Sequence, residues 1–235
     1  YTETATPTVF EGVFYGRPNN GDISINVTAN NLGYNYVGNP YPSPIDAEEF
    51  LSSNSNVASL HFWTHEAPPI DGAFAANNYA SFTTMGGTMA AAGGEEPDGI
   101  IQVGQGFVIK AEQQFLLQFT NDLRIPNSNG QFFRSADTEK HRMWLNLNDD
   151  TTSYNQILLG YVENATMAVD HQIDAKLFGY SDNSIYSLID NEKYVIQGRS
   201  LPFDVQDVVL SDNVLIRGGT ITLDTLNVGA NNVVL

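Results

Sequence analysis

The chain has 235 residues, with 27 Asp and Glu against 10 Lys and Arg, a formal charge of −17, and no cysteine. A negative excess of that size opposes phosphate backbones and anionic headgroups, which excludes nucleic-acid binding and membrane-surface binding through any broad basic patch. Without cysteine there is no disulfide frame, thiolate metal site or cysteine nucleophile, and a chain this long buries enough apolar surface to fold without such staples.

From the amino end, the chain opens without Met inside the polar stretch YTETATPT and closes in the strand-like NNVVL, as a piece of a longer protein would. No signal-peptide pattern is visible, and no apolar run approaches the roughly 18 residues of a membrane span, so no membrane insertion is expected. Charged residues make up 16%, below the roughly 25% usual for globular domains, so Asn, Ser, Thr, Gln and Gly must carry solubility. These are turn formers, and Val, Ile, Thr, Tyr and Phe fill the stretches between them.

Period-two alternation predicts strands at Ile23, Ile25, Val27, then at Phe115, Leu117, Phe119, at Met143, Leu145, Leu147, and at Ile157, Leu159, Tyr161. Shorter strands are expected at 106–111, 185–189, 194–197, 208–210, 214–216 and 220–223. One short helix is expected near residues 44–51, with Ser43 as cap, Pro44 at the first helical position, Asp46 completing a capping box, and Ile45 with Phe50 or Leu51 facing the core. Residues 73–99, rich in Ala, Gly and Met with two Gly pairs, read as a long irregular loop. The fold class is all-β, sandwich- or jelly-roll-like. A composition change around SADTEKHR divides it into a β-rich domain over 1–138, holding the helix and the loop, and a sandwich-like domain over 139–235.

Few residues offer chemistry. His61 and His65 in HFWTHE have the spacing that chelates zinc from a helix, but SLHFWT is strand-like, and on a strand four residues span roughly 13 Å. The carboxylates Asp46, Glu48, Glu49 and Glu66 are explained by a helix start and a solvated face. There is no nucleophile elbow, P-loop or dinucleotide fingerprint, and VGQGFV, with Gly104 and Gly106, leads into a strand rather than a helix. No catalytic residue, no cofactor site and no particular metal ligand is assigned. Asn148, Asp149, Asp150, Asp182, Asn183, Asp190, Asn191, Glu192, Asp204 and Asp207 offer oxygens of the kind Ca2+ takes, and equally suit turns. Tyr34, Tyr36, Tyr41 and Trp63 lie near turns and are the candidate ligand-facing aromatics for a glycan.

The ordered motifs YNYVGNPYPSPIDAEEFL (34–51), HFWTH (61–65), IQVGQGFVIKA (101–111) and FTNDLRI (119–125), then FFR, RMWLNL, ILLGYVENAT and IYSLIDNEKYVIQGRSLPFD, resemble a recurring module of Bacteroidetes secreted surface proteins. In such proteins the module lies upstream of a type IX secretion sorting domain. The resemblance implies export to the outer cell surface or the extracellular space, and no reaction. Asp150-Thr151-Thr152 and Asp224-Thr225-Leu226 also resemble the O-glycosylation acceptor pattern of that phylum. The function expected is a non-catalytic structural or adhesive module, self-associating through a strand edge near the carboxyl end or meeting other surface proteins. The alternative is a carbohydrate-binding accessory module of a secreted polysaccharide-degrading enzyme.

Overall fold

The computed structural model describes residues 13, 15–64, 66, 76–125, 140–148, 153–179, 184–201 and 220–227. Among them the fold is all-β and sandwich-like, with one short α-helix. The strands and the helix are β1 (Ile23–Val27), β2 (Tyr34–Gly38), β3 (Ile45–Asp46), α1 (Ala47–Ser53), β4 (Val57–Trp63), β5 (Tyr79–Thr83), β6 (Gly86–Thr88), β7 (Ile100–Ile101), β8 (Gly106–Ala111) and β9 (Phe115–Phe119). After them come β10 (His141–Asn148), β11 (Ser153–Val162), β12 (Ala175–Lys176), β13 (Ser187–Ile189), β14 (Glu192–Ser200) and β15 (Thr220–Asn227).

The first sheet has the order β2-β8-β4-β5-β6, all antiparallel. Alternation puts Val37, Leu60, Phe62, Phe82, Phe107 and Ile109 on one face, where they meet Phe50 and Leu51 of α1 and Val27, Leu117 and Phe119 of the β1–β9 pair. Phe50 sits at the centre of this core, its ring 5.2 Å from Phe119 and 5.5 Å from Phe107. The second sheet has the order β12-β14-β11-β10-β15, with β13 paired to β14. Its core contains Leu145, Leu147, Ile157, Leu158, Ile185 and Ile196. β11 and β14 run parallel, whereas the other pairs of this sheet are antiparallel.

Two local expectations are corrected. The helix starts at Ala47 and its cap is Asp46, whose carboxylate accepts the Glu49 backbone N–H at 2.9 Å. Ser43 and Pro44 precede a two-residue strand instead, because Ile45 and Asp46 pair with Ile101 and Ile100, and the Ser43 hydroxyl accepts from Arg124 Nε at 2.9 Å. The described part of 73–99 is not a structureless loop, since it forms the β5–β6 hairpin. Gly87 lets the Pro97 segment lie against that hairpin, for a Cβ there would stand 2.7 Å from the Pro97 carbonyl oxygen. The candidate strands at 208–210 and 214–216 lie outside the described residues.

The hairpin joins the two sheets. Met85 at its turn is buried in the second core, not the first. Around it, Arg142 Nη1 donates to Met85 O at 3.2 Å, Trp144 Nε1 to Gly87 O at 3.0 Å and Lys140 Nζ to Thr84 O at 2.6 Å. Gly160 and Gly198, opposite one another in the parallel pair, leave a smooth strip on the second sheet. A Cβ at Gly160 would meet Met85 Cε at 2.1 Å, and one at Gly198 would meet Ile173 Cγ2 at 2.3 Å.

Candidate functional site

The other face of the first sheet carries most of the residues with chemistry. The β4 sequence Ser59-Leu60-His61-Phe62-Trp63 alternates, so Ser59, His61 and Trp63 point away from the core, and the register sets His61 beside Ser81 and Trp63 beside Tyr79. His61 is 1% exposed. Its Nε2 lies 3.1 Å from Ser59 Oγ and its Nδ1 3.0 Å from Ser81 Oγ, so each ring nitrogen has a hydroxyl partner. Burial, helped by the charge of Lys110, pushes the imidazole down to about 3, and it stays neutral.

Phe178, from the segment after β12, covers this cluster. Its ring stacks on His61 at 4.6 Å and meets Tyr34 edge-on at 4.7 Å and Tyr79 edge-on at 4.8 Å. The phenols of Tyr34 and Tyr79 are raised by burial and remain protonated. Beside Phe178, Tyr79, Ser81, Thr88, Asn155 and Gln156 border a crevice with room for about one water. A sugar ring or a metabolite does not fit there.

The four candidate aromatics separate accordingly. Tyr41 is a core residue, its hydroxyl donating to Gly21 O at 2.7 Å and its ring 5.3 Å from the Arg124 guanidinium. Tyr34 lies under Phe178. Tyr36 is 69% exposed, with its hydroxyl bonded to that of Tyr79, and Trp63 stands edge-on to Tyr79 at 5.1 Å. Tyr36, Trp63 and Tyr79 therefore form an aromatic rim, the part of the guess that the structure brings together. Phe178 and the Ser59–His61–Ser81 bridge were missed. The period-two spacing of Ser59 and His61 in a strand was the available signal for the bridge, whereas nothing local marks Phe178.

The polar candidates serve the frame. Asp46 caps α1, Glu48 takes an ion pair from Lys140 at 2.8 Å, and Glu66 packs its side chain over Gly94. His65, Asp149, Asp150, Asp182, Asn183, Asp204 and Asp207 lie outside the described residues, as does the acceptor pattern at 150–152, while that at 224–226 falls on β15. Asp190 and Asn191 form the β13–β14 turn at positive φ, the conformation these residue types tolerate. Among the described residues no three His, Asp or Glu side chains converge as a metal site.

A second polar cluster lies under the second sheet. Arg199, 4% exposed, donates to Gly198 O at 2.9 Å, and the Gln197 amide accepts from it at 2.8 Å while donating to Ser187 Oγ. Asp174, 5% exposed, accepts the N–H groups of Gly198 and Asp170, each at 2.7 Å.

A family model described as a domain of unknown function, DUF8693, matches residues 1–226, a span that runs through both sheets. No curated protein and no solved structure matches the chain.

Proposed function

We propose, from the premise that the chain belongs to the DUF8693 family of domains, that it is a non-catalytic structural or adhesive module of an exported protein at the cell surface or outside the cell. The observation that carries this reading is the condition of its best reactive-type residues. Ser59, His61 and Ser81 bond to one another beneath Phe178, with the imidazole held neutral. A general base must reach a substrate proton and titrate near the working pH, and His61 does neither. Its role is to satisfy polar groups between packed layers. The low-charge, Asn/Ser/Thr-rich composition and the likeness to modules upstream of type IX sorting domains support display outside the cell, against further copies or other surface proteins.

Two measurements test the reading. Purified protein incubated with polysaccharide and ester panels is expected to release no product; hydrolysis that disappears in Ser59→Ala or His61→Ala would overturn it. Antibody labelling of intact producing cells is expected to find the protein accessible, and confinement to the cytoplasm would refute export.

A second reading, glycan binding, is favoured by the aromatic rim at Tyr36, Trp63 and Tyr79. A glycan array run with calcium is its test. Binding lost in Tyr36→Ala supports it, and no binding up to millimolar glycan removes it.

A further inference from the structure

Asn20-Gly21, just ahead of β1, is a pair with chemistry of its own. Asn followed by Gly closes a succinimide more readily than other Asn pairs, because the second residue has no side chain to hinder attack by its backbone nitrogen. The chain holds two such pairs, and the other, Asn129-Gly130, lies outside the described residues. Asn20 is exposed and Gly21 is half-buried. A Cβ built on Gly21 would meet nothing within 4 Å, so packing leaves room for ring closure.

Hydrogen bonds restrain the pair instead. Gly21, held at φ 81, donates its N–H to Asn121 Oδ1 at 3.1 Å, and its carbonyl accepts from the Tyr41 hydroxyl at 2.7 Å. Arg124 Nη1 donates to Asn20 Oδ1 at 3.1 Å and to Asn121 Oδ1 at 3.2 Å, while Arg124 Nε is fixed on Ser43 Oγ. Both partners of the ring closure are thereby occupied. The Gly21 nitrogen keeps its proton against Asn121, and the Asn20 amide is turned to the guanidinium. Asn121 and Arg124 follow β9, and Tyr41 is a core residue. The bracket therefore lasts only while the segment ahead of β1 stays on the sandwich.

We propose that Asn20-Gly21 is a latched modification site, kept as asparagine while Gly21 is bonded to Asn121 and Tyr41 and deamidated once that segment comes away. In the reaction Gly21 N gives its proton to solvent base and attacks Asn20 Cγ. The new C–N bond closes the imide, the Cγ–Nδ2 bond breaks, and the amide nitrogen takes up a proton and leaves as ammonia. Water then opens the imide at one of its two carbonyls. One opening leaves aspartate at position 20, and the other leaves isoaspartate, in which the main chain runs through the side-chain carbons and is one atom longer. That extra atom displaces Gly21 from Asn121 and Tyr41. The isoaspartyl chain cannot remake the bracket, so the change is a one-way record that the segment has detached.

The experiment follows Asn20 in the intact chain at neutral pH, with and without guanidinium chloride. Timed samples are digested, and the peptide carrying Asn20 is weighed separately from the one carrying Asn129. Two hydrogen bonds on Gly21 must break, each slowing the reaction about fivefold, so deamidation of Asn20 is expected to be roughly twentyfold slower in the native chain than in the denatured one. Asn121→Ala, at an exposed position, should raise the native rate about fivefold, and Tyr41→Phe, which frees Gly21 O alone, about as much. Circular dichroism checks that each variant is folded. Native deamidation as fast as denatured overturns the proposal, and so does a folded Asn121→Ala or Tyr41→Phe chain that deamidates no faster than the wild type.

Discussion

Replacing Gly198 by Ala probes the closest approach between residues 163–174 and the second sheet. The new Cβ would lie 2.3 Å from Ile173 Cγ2. A β-branched side chain offers little χ1 freedom to move aside. Ile173 is held besides, its N–H bonded to Asp170 O and its carbonyl to Thr83 Oγ1, so relief has to come from the backbone. Overpacking of this kind costs about 1–3 kcal/mol, set against about 0.5–1 kcal/mol gained when Gly in a strand becomes Ala. The net expectation is destabilisation by about 1–2 kcal/mol, a fall in Tm of roughly 2–8 °C for a chain of this size. Thermal unfolding by circular dichroism measures it, with Gly38→Ala as the control, since a Cβ there meets its nearest neighbour at 3.6 Å. The double variant Gly198→Ala/Ile173→Ala should recover part of the loss through a coupling of about 0.5 kcal/mol or more. If Gly198→Ala melts with Gly38→Ala, or no coupling appears, the reasoning from contact geometry fails.

Other substitutions address the polar brackets and the aromatic cover. Asn39 donates to Ser43 O, Gln102 O and Ile101 O and accepts from Tyr41 N; Asn39→Ala should cost about 3 kcal/mol in urea unfolding, and Asn39→Asp more, because it turns a carboxylate toward three carbonyls. Because only the unfolded chain protonates His61 between pH 6.5 and about 3, its contribution is present above 6.5 and lost on acidification at about 1.4 kcal/mol per pH unit. Urea midpoints of His61→Gln should lack that limb, and an unchanged pH profile would contradict a neutral buried imidazole. Phe178→Ala should cost about 2–3 kcal/mol and, by admitting water, move the His61 titration from about 3 toward 6.5. Histidine NMR shifts that stay flat across that range would show that Phe178 is not the cover.

The strands legible in the sequence were those with one buried and one open face. β1, β9, β10 and β11 each show alternation, and the apolar stripe of Phe50 and Leu51 marked the helix. The hairpin at 79–88 was illegible because it is buried on both faces and crowded. Its small residues are there to admit Pro97 and the second sheet, and Ala, Gly and Met in that density look the same as a loop. The cap was misassigned because Ser43-Pro44 and Asp46 both suit helix starts, and the pairing of Ile45 with Ile101, distant in sequence, decided between them. The cover over Tyr34 was not legible because it comes from Phe178, far along the chain. Tyr36 and Trp63 stand at the margin of that contact, around Tyr79.

The parallel pairing of β11 with β14 also constrains the order of events in folding. Antiparallel neighbours such as β10 and β11 can zip from a short connection, but β14 reaches β11 only after the chain has crossed residues 163–191. Until then the Leu158 edge of β11 has no ladder partner, and Gly198 cannot find the Asp174 carboxylate. Non-local closure of this kind is slow. Forming that ladder therefore requires closing a connection of 29 residues, 163–191, between its two strands. Refolding slower than that of a sheet joined by hairpins alone is the outcome this topology predicts, to be read by stopped-flow fluorescence.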